Sequence, residues 1–112
     1  MTRLPALGSD AERFLETRLK QHGVPFHREF QFAHPRKWRA DFLVPPDLLI
    51  EVDGGTWTGG RHTRGDGVER DAEKQSAAAI ARFRTLRCTT TQVLDDRCLD
   101  WILAARGKES DR

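Results

Sequence analysis

The chain has 112 residues, of which 38% are hydrophobic and 32% are charged, and its 19 basic and 17 acidic residues give a net charge of +2 at pH 7. This length fits one domain, and no apolar run approaches the ~18 residues that a membrane span needs. The composition therefore excludes a membrane-spanning chain, and the net charge is too small to indicate nucleic acid by itself.

The first segment, MTRLPALGSD, lacks the apolar core of a signal peptide, so we expect a cytoplasmic protein. Its two cysteines, Cys88 and Cys98, form neither a CxxC pair nor a disulfide framework, which predicts free buried thiols. We expect a single domain with its core over about 9–105 and a charged, frayed tail over 106–112.

The first predicted element is a helix from Ser9 to His22. Ser9-Asp10-Ala11-Glu12 has the sequence of a capping box, and Gly23 with Pro25 ends the helix. Glu12 and Glu16 lie four residues apart and so share one face. The capping contact of Glu12 with the Ser9 backbone N–H would by itself explain why a glutamate stands there. The predicted apolar face consists of Ala11, Phe14, Leu15 and Leu19.

Three strands are predicted next, over 26–32, 38–44 and 48–53. The stretch Pro45-Pro46-Asp47 must be a turn, since a proline cannot join a central ladder. The run LLIEV is apolar enough for a central strand. The alternation of residue types predicts two one-sided apolar sets: Phe26, Phe30 and Phe32 on the first strand, and Trp38, Ala40, Phe42 and Val44 on the second.

The turn fixes a register that brings carboxylates together. If Val44 pairs with Leu48, Asp41 lies opposite Glu51, and directly opposed side chains stand ~4.5–5.5 Å apart at Cβ. Like charges there are destabilising, but Mg²⁺ converts the repulsion into coordination because it takes carboxylate oxygens. An exposed edge hairpin without a metal is the alternative. The same register places Arg39 opposite Asp53, and an ion pair between these two would account for Asp53.

A glycine-rich segment, GGTWTGGRHTRGDG, covers residues 54–67 and contains six glycines. A loop of this length inside a compact domain is usually functional, and its Arg61, His62 and Arg64 are donors for a phosphate backbone. Basic residues flank the acidic centre on both sides, which suits a polyanion, although solvated surface is an equal alternative. The candidate DNA contacts are Arg36, Lys37, Arg39, Arg61, Arg64 and Arg70.

A second long helix is predicted over 68–81, a fourth strand over 83–89 and a last helix from Thr91, so the order is αβββαβα. In the second helix, Asp71, Lys74 and Ala78 share one face. For a lysine on a helix the usual explanation is an ion pair, here with Asp71 or with another nearby acidic residue. The faces expected to pack on the sheet are Ala72, Ala79 and Ile80 in the second helix, and Val93, Leu94, Cys98, Trp101 and Ile102 in the last.

The stretch from RKWRADF through IEVDGGTWTGGRHTRGDGVERDAEK resembles the PD-(D/E)XK nuclease superfamily, and in particular its small phage-encoded, Holliday junction resolvase-like members. The resemblance covers residues 9 to about 95. It implies an α/β fold, in which a mixed sheet of about four strands flanked by helices forms a restriction-endonuclease-like core. It also implies Mg²⁺, or Mn²⁺ in its place, at Asp41 and Glu51 with the Val52 carbonyl.

One motif position departs from the superfamily pattern, which has a lysine two residues after the glutamate, where this chain has Asp53. The resemblance makes Lys74 the natural substitute, because related members carry the lysine on the next helix. It places the helix carboxylate of the motif on Glu12, with Glu16 as a second choice. His62 would assist as a proton shuttle or phosphate donor, or would only bind the DNA backbone.

The function implied is Mg²⁺-dependent hydrolysis of DNA phosphodiesters, with branched DNA such as a four-way junction as substrate. A homodimer is expected because resolution needs two symmetric cuts. Two alternatives stay open: a mismatch-repair or restriction-type nickase of the same superfamily, and a non-catalytic DNA-binding member that has lost its lysine. For a phage-encoded member, the compartment would be the host cytoplasm.

Changing Arg61 and Arg64 to Ala should weaken DNA binding and flatten its salt dependence, since each lost phosphate contact lowers the slope of log K against log[salt] by roughly one unit. Binding titrations between about 50 and 200 mM salt measure that slope. Circular dichroism should show an unchanged fold. If the slope stays at the wild-type value, the loop does not contact the phosphate backbone.

Overall fold

A computed structural model describes residues 10–33, 38–53 and 65–110, without the side chains of 65–66 and 107–110. Four strands form one sheet in the order β1-β2-β3-β4, with β2 antiparallel to both β1 and β3 and with β4 parallel to β3. The prediction of an α/β fold with a four-stranded mixed sheet flanked by helices is confirmed. The elements are α1 Asp10–Gln21, β1 His27–Gln31, β2 Arg39–Val44, β3 Leu48–Asp53, α2 Gly65–Ile80, β4 Arg84–Thr89, α3 Thr90–Leu94 and α4 Arg97–Ser110.

The two faces of the sheet carry separate hydrophobic clusters. One face packs against α1, α3 and α4 through residues such as Leu15, Phe42 and Ile102. The other face packs against the alanines of α2 through residues such as Leu49 and Phe83. Alternation along β3 follows from this arrangement, since Leu48 and Ile50 join the first cluster and Leu49 joins the second. In the part of the chain that the structure describes, no helix is long and apolar enough to cross a bilayer.

The predicted register of the second hairpin is confirmed where the strands pair. Val44 pairs with Leu48, and the ladder continues through Leu43–Leu49 and Phe42–Ile50. The recorded pairing ends there, one step before Asp41 and Glu51. The turn over 45–47 also lies where it was predicted. The turn at one end of this hairpin therefore fixes which residues of β2 and β3 lie opposite each other at the other end, near Asp41 and Glu51.

The first two strands, β1 and β2, change faces at the same step of their shared ladder. Phe26 packs with the first cluster, on the face covered by α1 (the α1 cluster). Phe30 and Phe32 pack with the second cluster, on the face covered by α2 (the α2 cluster). On β2, Ala40 joins the α2 cluster and Phe42 joins the α1 cluster. The predictions of one-sided apolar sets on these strands were therefore wrong.

The backbone gives the reason for this change of faces. The paired residues are Arg28–Phe42 and Phe30–Ala40, and the step between them, Glu29 opposite Asp41, is missing from the ladder. Glu29 has φ +52, in the left-handed region that non-glycine residues rarely adopt. Side chains alternate between the two faces only along extended backbone. The left-handed φ of Glu29 interrupts this alternation in β1, so side chains expected on one face lie on opposite faces before and after it.

The second helix packs on a face other than the predicted one. Ala78 is buried and Ala77 is packed against the sheet, whereas Ile80 is 80% exposed and both Ala72 and Ala79 are exposed. The face that meets the sheet is therefore the one that carries Lys74 and Ala78. Small residues let the helix approach the sheet, and Asp71 and Lys74 near its middle form ion pairs with the sheet on that face.

The predicted last helix is broken into two. A turn at Asp95 and Asp96, with Asp96 at φ +71, separates α3 from α4. The break changes the phase of the helix, so Leu94 and Trp101 are 50% and 38% exposed while Leu99, which the pattern missed, is buried. The helix α4 continues to Ser110, and the frayed tail over 106–112 stays a prediction. Cys88 and Cys98 are free and buried, as predicted.

Candidate active site

Asp41 lies where the β2–β3 ladder ends. Its Oδ2 accepts a hydrogen bond of 2.7 Å from the backbone N–H of Val52, so the carboxylate replaces a backbone partner. This bond fixes the carboxylate between the two strands and leaves it half-buried. The hydrogen bond involves the Val52 N–H and not its carbonyl. The predicted contact of a metal with the Val52 carbonyl stays a prediction.

Three carboxylates converge beside this point. Glu12 from α1, Glu29 from β1 and Asp41 each offer an oxygen, and these oxygens all lie within 4.8 Å of one another. Glu12, not Glu16, is the glutamate of α1 that belongs to this group. Glu29 was missed by the sequence analysis because alternation placed it among the polar residues of an ordinary strand. Its left-handed φ, which the sequence does not reveal, brings it to Asp41.

Of the cations that the structure describes, Arg28 lies closest to the α1 carboxylates. Its Nη2 donates to Glu12 Oε1 at 2.6 Å and its Nη1 donates to Glu16 Oε1 at 2.7 Å. The guanidinium lies 4.6 Å from the centre of the Phe42 ring, and its Nε makes a longer contact of 3.4 Å with the carbonyl of Asp41. One signal was present in the sequence: Arg28 occupies a position where the alternation of the strand calls for an apolar residue.

Glu51 is paired with Lys74, whose Nζ lies 2.9 Å from Glu51 Oε2. The lysine comes from α2 and the glutamate from β3, so this pair joins the second helix to the sheet. The neighbouring Asp71 receives two hydrogen bonds from Arg87 of β4, at 3.1 and 3.2 Å, which ties the same helix face to the sheet. Lys74 and Glu51 also line a small pocket with Phe32, Leu49, Gln75, Ala78, Thr85 and Arg87.

Three carboxylates at this end of the sheet, those of Glu12, Asp41 and Glu51, are held in an environment that disfavours their charge. Burial raises the pKa of Asp41, and the charge of Glu29 adds to the rise. Burial raises the pKa of Glu12, with a further rise from the charge of Asp41. Burial likewise raises the pKa of Glu51, against the lowering by its hydrogen bond with Lys74. Carboxylates with raised pKa values beside a positioned lysine are typical of functional sites, because their mutual repulsion destabilises the fold.

The remaining predicted site residues fall into two groups. Arg39 is exposed, and its Nη1 lies 3.9 Å from Glu29 Oε1. Its ion pair is therefore with Glu29 of β1, whereas the hairpin register had suggested a pair with Asp53. Asp53 is half-buried and pairs in the ladder with Thr89 of β4. Arg70 is exposed on α2. The predictions for Arg36, Lys37, Arg61, His62 and Arg64, and the Ser9 half of the predicted capping box, lie outside the described residues.

Comparison with known proteins adds one structural similarity. No protein-family model matches the chain, and no curated protein matches it by sequence. The fold is similar to that of the catalytic domain of the homing endonuclease I-Bth0305I, with a TM-score of 0.62 over 87% of this chain and 92% of that domain. The two sequences are 18% identical over this alignment. At this level of identity the similarity establishes a nuclease-like fold, and the chemistry has to be argued from the side chains.

The residues present fit a divalent metal ion. Mg²⁺ binds hard oxygen donors, in most cases one or two carboxylates with several waters, and the oxygens of Glu12, Glu29 and Asp41 offer such a set. Glu51 lies near enough for the charge of Asp41 to raise its pKa, but its carboxylate is committed to Lys74. The predicted pairing of Asp41 with Glu51 as metal ligands stays a prediction, and Glu29 joins the candidates.

Asp41→Asn should stabilise the metal-free protein at neutral pH. The pKa of Asp41 is raised in the folded state, so the folded chain holds that proton more tightly than the unfolded chain does. Stability therefore falls as the pH rises from the ordinary range of an aspartate through the raised value. An asparagine carries no charge and can still accept the Val52 N–H. In EDTA at pH 7, the Tm of Asp41→Asn should equal or exceed that of the wild type, and the difference should vanish below about pH 4.

Asp96→Asn is the matched control, because Asp96 receives two hydrogen bonds from Arg18, at 2.9 and 3.0 Å, and lies outside the carboxylate cluster. Loss of the charge of Asp96 should lower the free energy of unfolding by at most about 1 kcal/mol, and the Tm should fall with it. Added Mg²⁺ should raise the Tm of the wild type more than that of Asp41→Asn. A lower Tm for Asp41→Asn than for the wild type in EDTA at pH 7 would show that the repulsion is already compensated.

Proposed function

We propose that the protein is a Mg²⁺-dependent DNA endonuclease of the PD-(D/E)XK type that cuts branched DNA such as Holliday junctions. The observation that carries this proposal is the position of Lys74. This chain has Asp53 where the superfamily motif has a lysine. Lys74 of the next helix lies 2.9 Å from Glu51 instead, and its charge partly offsets the rise that burial causes in the pKa of Asp41. A lysine, a glutamate and an aspartate at the end of a central hairpin are what phosphodiester hydrolysis by this superfamily needs. The nuclease-like fold supports the same reading.

The side chains divide the work of the reaction. Glu12, Glu29 and Asp41 would hold the metal, with Glu51 beside them. A bound Mg²⁺, or Mn²⁺ in its place, would supply Lewis-acid stabilisation of the phosphate and would lower the pKa of an attacking water. Lys74 carries a positive charge held in place by Glu51, so it can donate to a phosphate oxygen as negative charge develops there. Arg28 compensates the charge of Glu12 and Glu16 before any ligand arrives.

Substrate preference and assembly rest on the sequence resemblance. Resolution of a four-way junction requires two symmetric cuts, which a homodimer with two sites provides. Exposed Arg39 and Arg70, together with Arg36, Lys37, Arg61 and Arg64 of the sequence analysis, are the proposed contacts to the phosphate backbone. His62 is proposed to assist from the same loop.

A cleavage panel tests the proposal. Purified protein with Mg²⁺ should cut a four-way junction at paired symmetric positions and cut a matched duplex and a single strand far less. Asp41→Asn and Glu51→Gln should each slow the cutting by roughly 100-fold or more, the loss typical when a charge-stabilising group is removed. Both variants should still bind the junction in a gel-shift assay. Glu69→Gln, which removes a carboxylate from the exposed side of α2, should cut like the wild type.

The panel also separates the alternatives. Equal cutting of duplex and junction would favour the nickase or restriction-type reading. Junction binding without cutting by the wild type would favour a non-catalytic DNA-binding protein, to which the aspartate at the motif position also points. Retained cleavage in both carboxylate variants would overturn the metal assignment.

Lys74→Ala, and even Lys74→Arg, should reduce kcat strongly while DNA and metal still bind, because a positioned ammonium stabilises charge that builds mainly in the transition state. Asp53→Lys should not help the wild type and should restore part of the activity of Lys74→Ala. Lys20→Ala is the control, since Lys20 forms an exposed ion pair of 3.3 Å with Glu16. Single-turnover cleavage measures the rate. Full activity in Lys74→Ala would exclude the lysine from the reaction.

A further inference from the structure

Arg28 makes contacts with three parts of the candidate site at once. Its two terminal nitrogens donate to Glu12 and Glu16, at 2.6 and 2.7 Å, and its Nε lies 3.4 Å from the carbonyl of Asp41. The side chain therefore joins α1 to the strand that carries Asp41. The sequence patterns gave this arginine no role in the site, and the proposed reaction uses only its charge, to compensate Glu12 and Glu16.

The guanidinium is held in place on every side. Phe42 of β2 lies beneath it, with 4.6 Å from Cζ to the ring centre, and the arginine side chain is only 27% exposed. Its two hydrogen-bonded carboxylates stand one helical turn apart on α1, and a third, Glu29, lies 3.9 Å away. A planar guanidinium presents donors in fixed directions, so gripping both carboxylates sets the rotation of α1 relative to β1. A lysine ammonium has the same charge but no such fork.

Glu12 is the carboxylate for which this grip matters. Its side chain is 13% exposed, and an oxygen of it lies within 4.8 Å of oxygens of Glu29 and Asp41. Like charges at that distance push the carboxylate away from its neighbours unless a bond opposes the movement. The bond from Arg28 opposes it. Glu16 serves as the second anchor, because it keeps the guanidinium bonded while Glu12 faces the other carboxylates.

We propose that Arg28 is a positioning residue of the candidate site, whose guanidinium fork holds the Glu12 carboxylate beside Asp41 in the orientation that receives a divalent cation. This inference rests on the proposed function for the role of Glu12 as a cation ligand. Groups that orient a metal ligand commonly change metal affinity or activity by 10–100-fold when they are altered. The fork, and not the charge alone, carries the effect.

Arg28→Lys tests the fork because it keeps the charge. Mn²⁺ binding to the metal-free protein, measured by electron paramagnetic resonance and calorimetry, should weaken about 10-fold or more. Arg18→Lys is the matched control: Arg18 is 28% exposed, lies on α1, and donates two hydrogen bonds to Asp96 instead of to the site. It should lose comparable stability in urea unfolding and keep the wild-type Mn²⁺ affinity.

A second variant covers the case in which Arg28→Lys does not fold. Glu16→Gln removes the charge of one anchor and leaves Arg28 and Glu12 in place, so it should weaken Mn²⁺ binding in the same direction and by less. Wild-type affinity in a folded Arg28→Lys, an equal loss in Arg18→Lys, or no Mn²⁺ binding by the wild type would each overturn the inference. If the wild type binds Mn²⁺ with the expected pattern among variants but cuts no DNA, the nuclease proposal fails and the positioning role of Arg28 stands.

Discussion

Mutual repulsion among four carboxylates, three of them partly buried, is the constraint on which the arrangement of this protein depends. Glu12, Glu29, Asp41 and Glu51 meet at one end of the sheet, where burial and neighbouring charges raise the pKa of three of them. Such a group persists only if cations and hydrogen-bond donors lie among its members. Arg28 supplies one cation from β1, Lys74 supplies another from α2, and the backbone of Val52 supplies a donor.

The same ion pairs decide how the helices sit. Apolar area alone does not fix the rotation of α2, which carries several alanines of similar size and leaves Ile80 exposed. The pairs from Lys74 to Glu51 and from Asp71 to Arg87 select one face of that helix. On the opposite layer, the fork of Arg28 and the pair of Arg18 with Asp96 set α1 in the same way. Polar contacts here supply specificity, and the hydrophobic clusters supply the bulk of the stability.

The sequence was sufficient for features that local chemistry determines. The prolines at 45–46 fixed the turn and with it the hairpin register, and β3 has the predicted bounds Leu48–Asp53. The i, i+3 spacing of Asp71 and Lys74 placed both on one face, and that face meets the sheet. What could not be predicted depends on backbone conformations that composition does not encode. The left-handed φ of Glu29 and Asp96 turned over a strand in one case and broke a helix in the other.

The site draws its side chains from both layers of the protein, Glu12 from the helix on one face of the sheet and Lys74 from the helix on the other. Among the described residues these two helices belong to different hydrophobic clusters, and the sheet lies between them. A ligand held at this end of the sheet would bridge the layers directly. Amide hydrogen exchange in α1 and α2 would then slow together on binding, because local opening of either helix would cost the contacts of both.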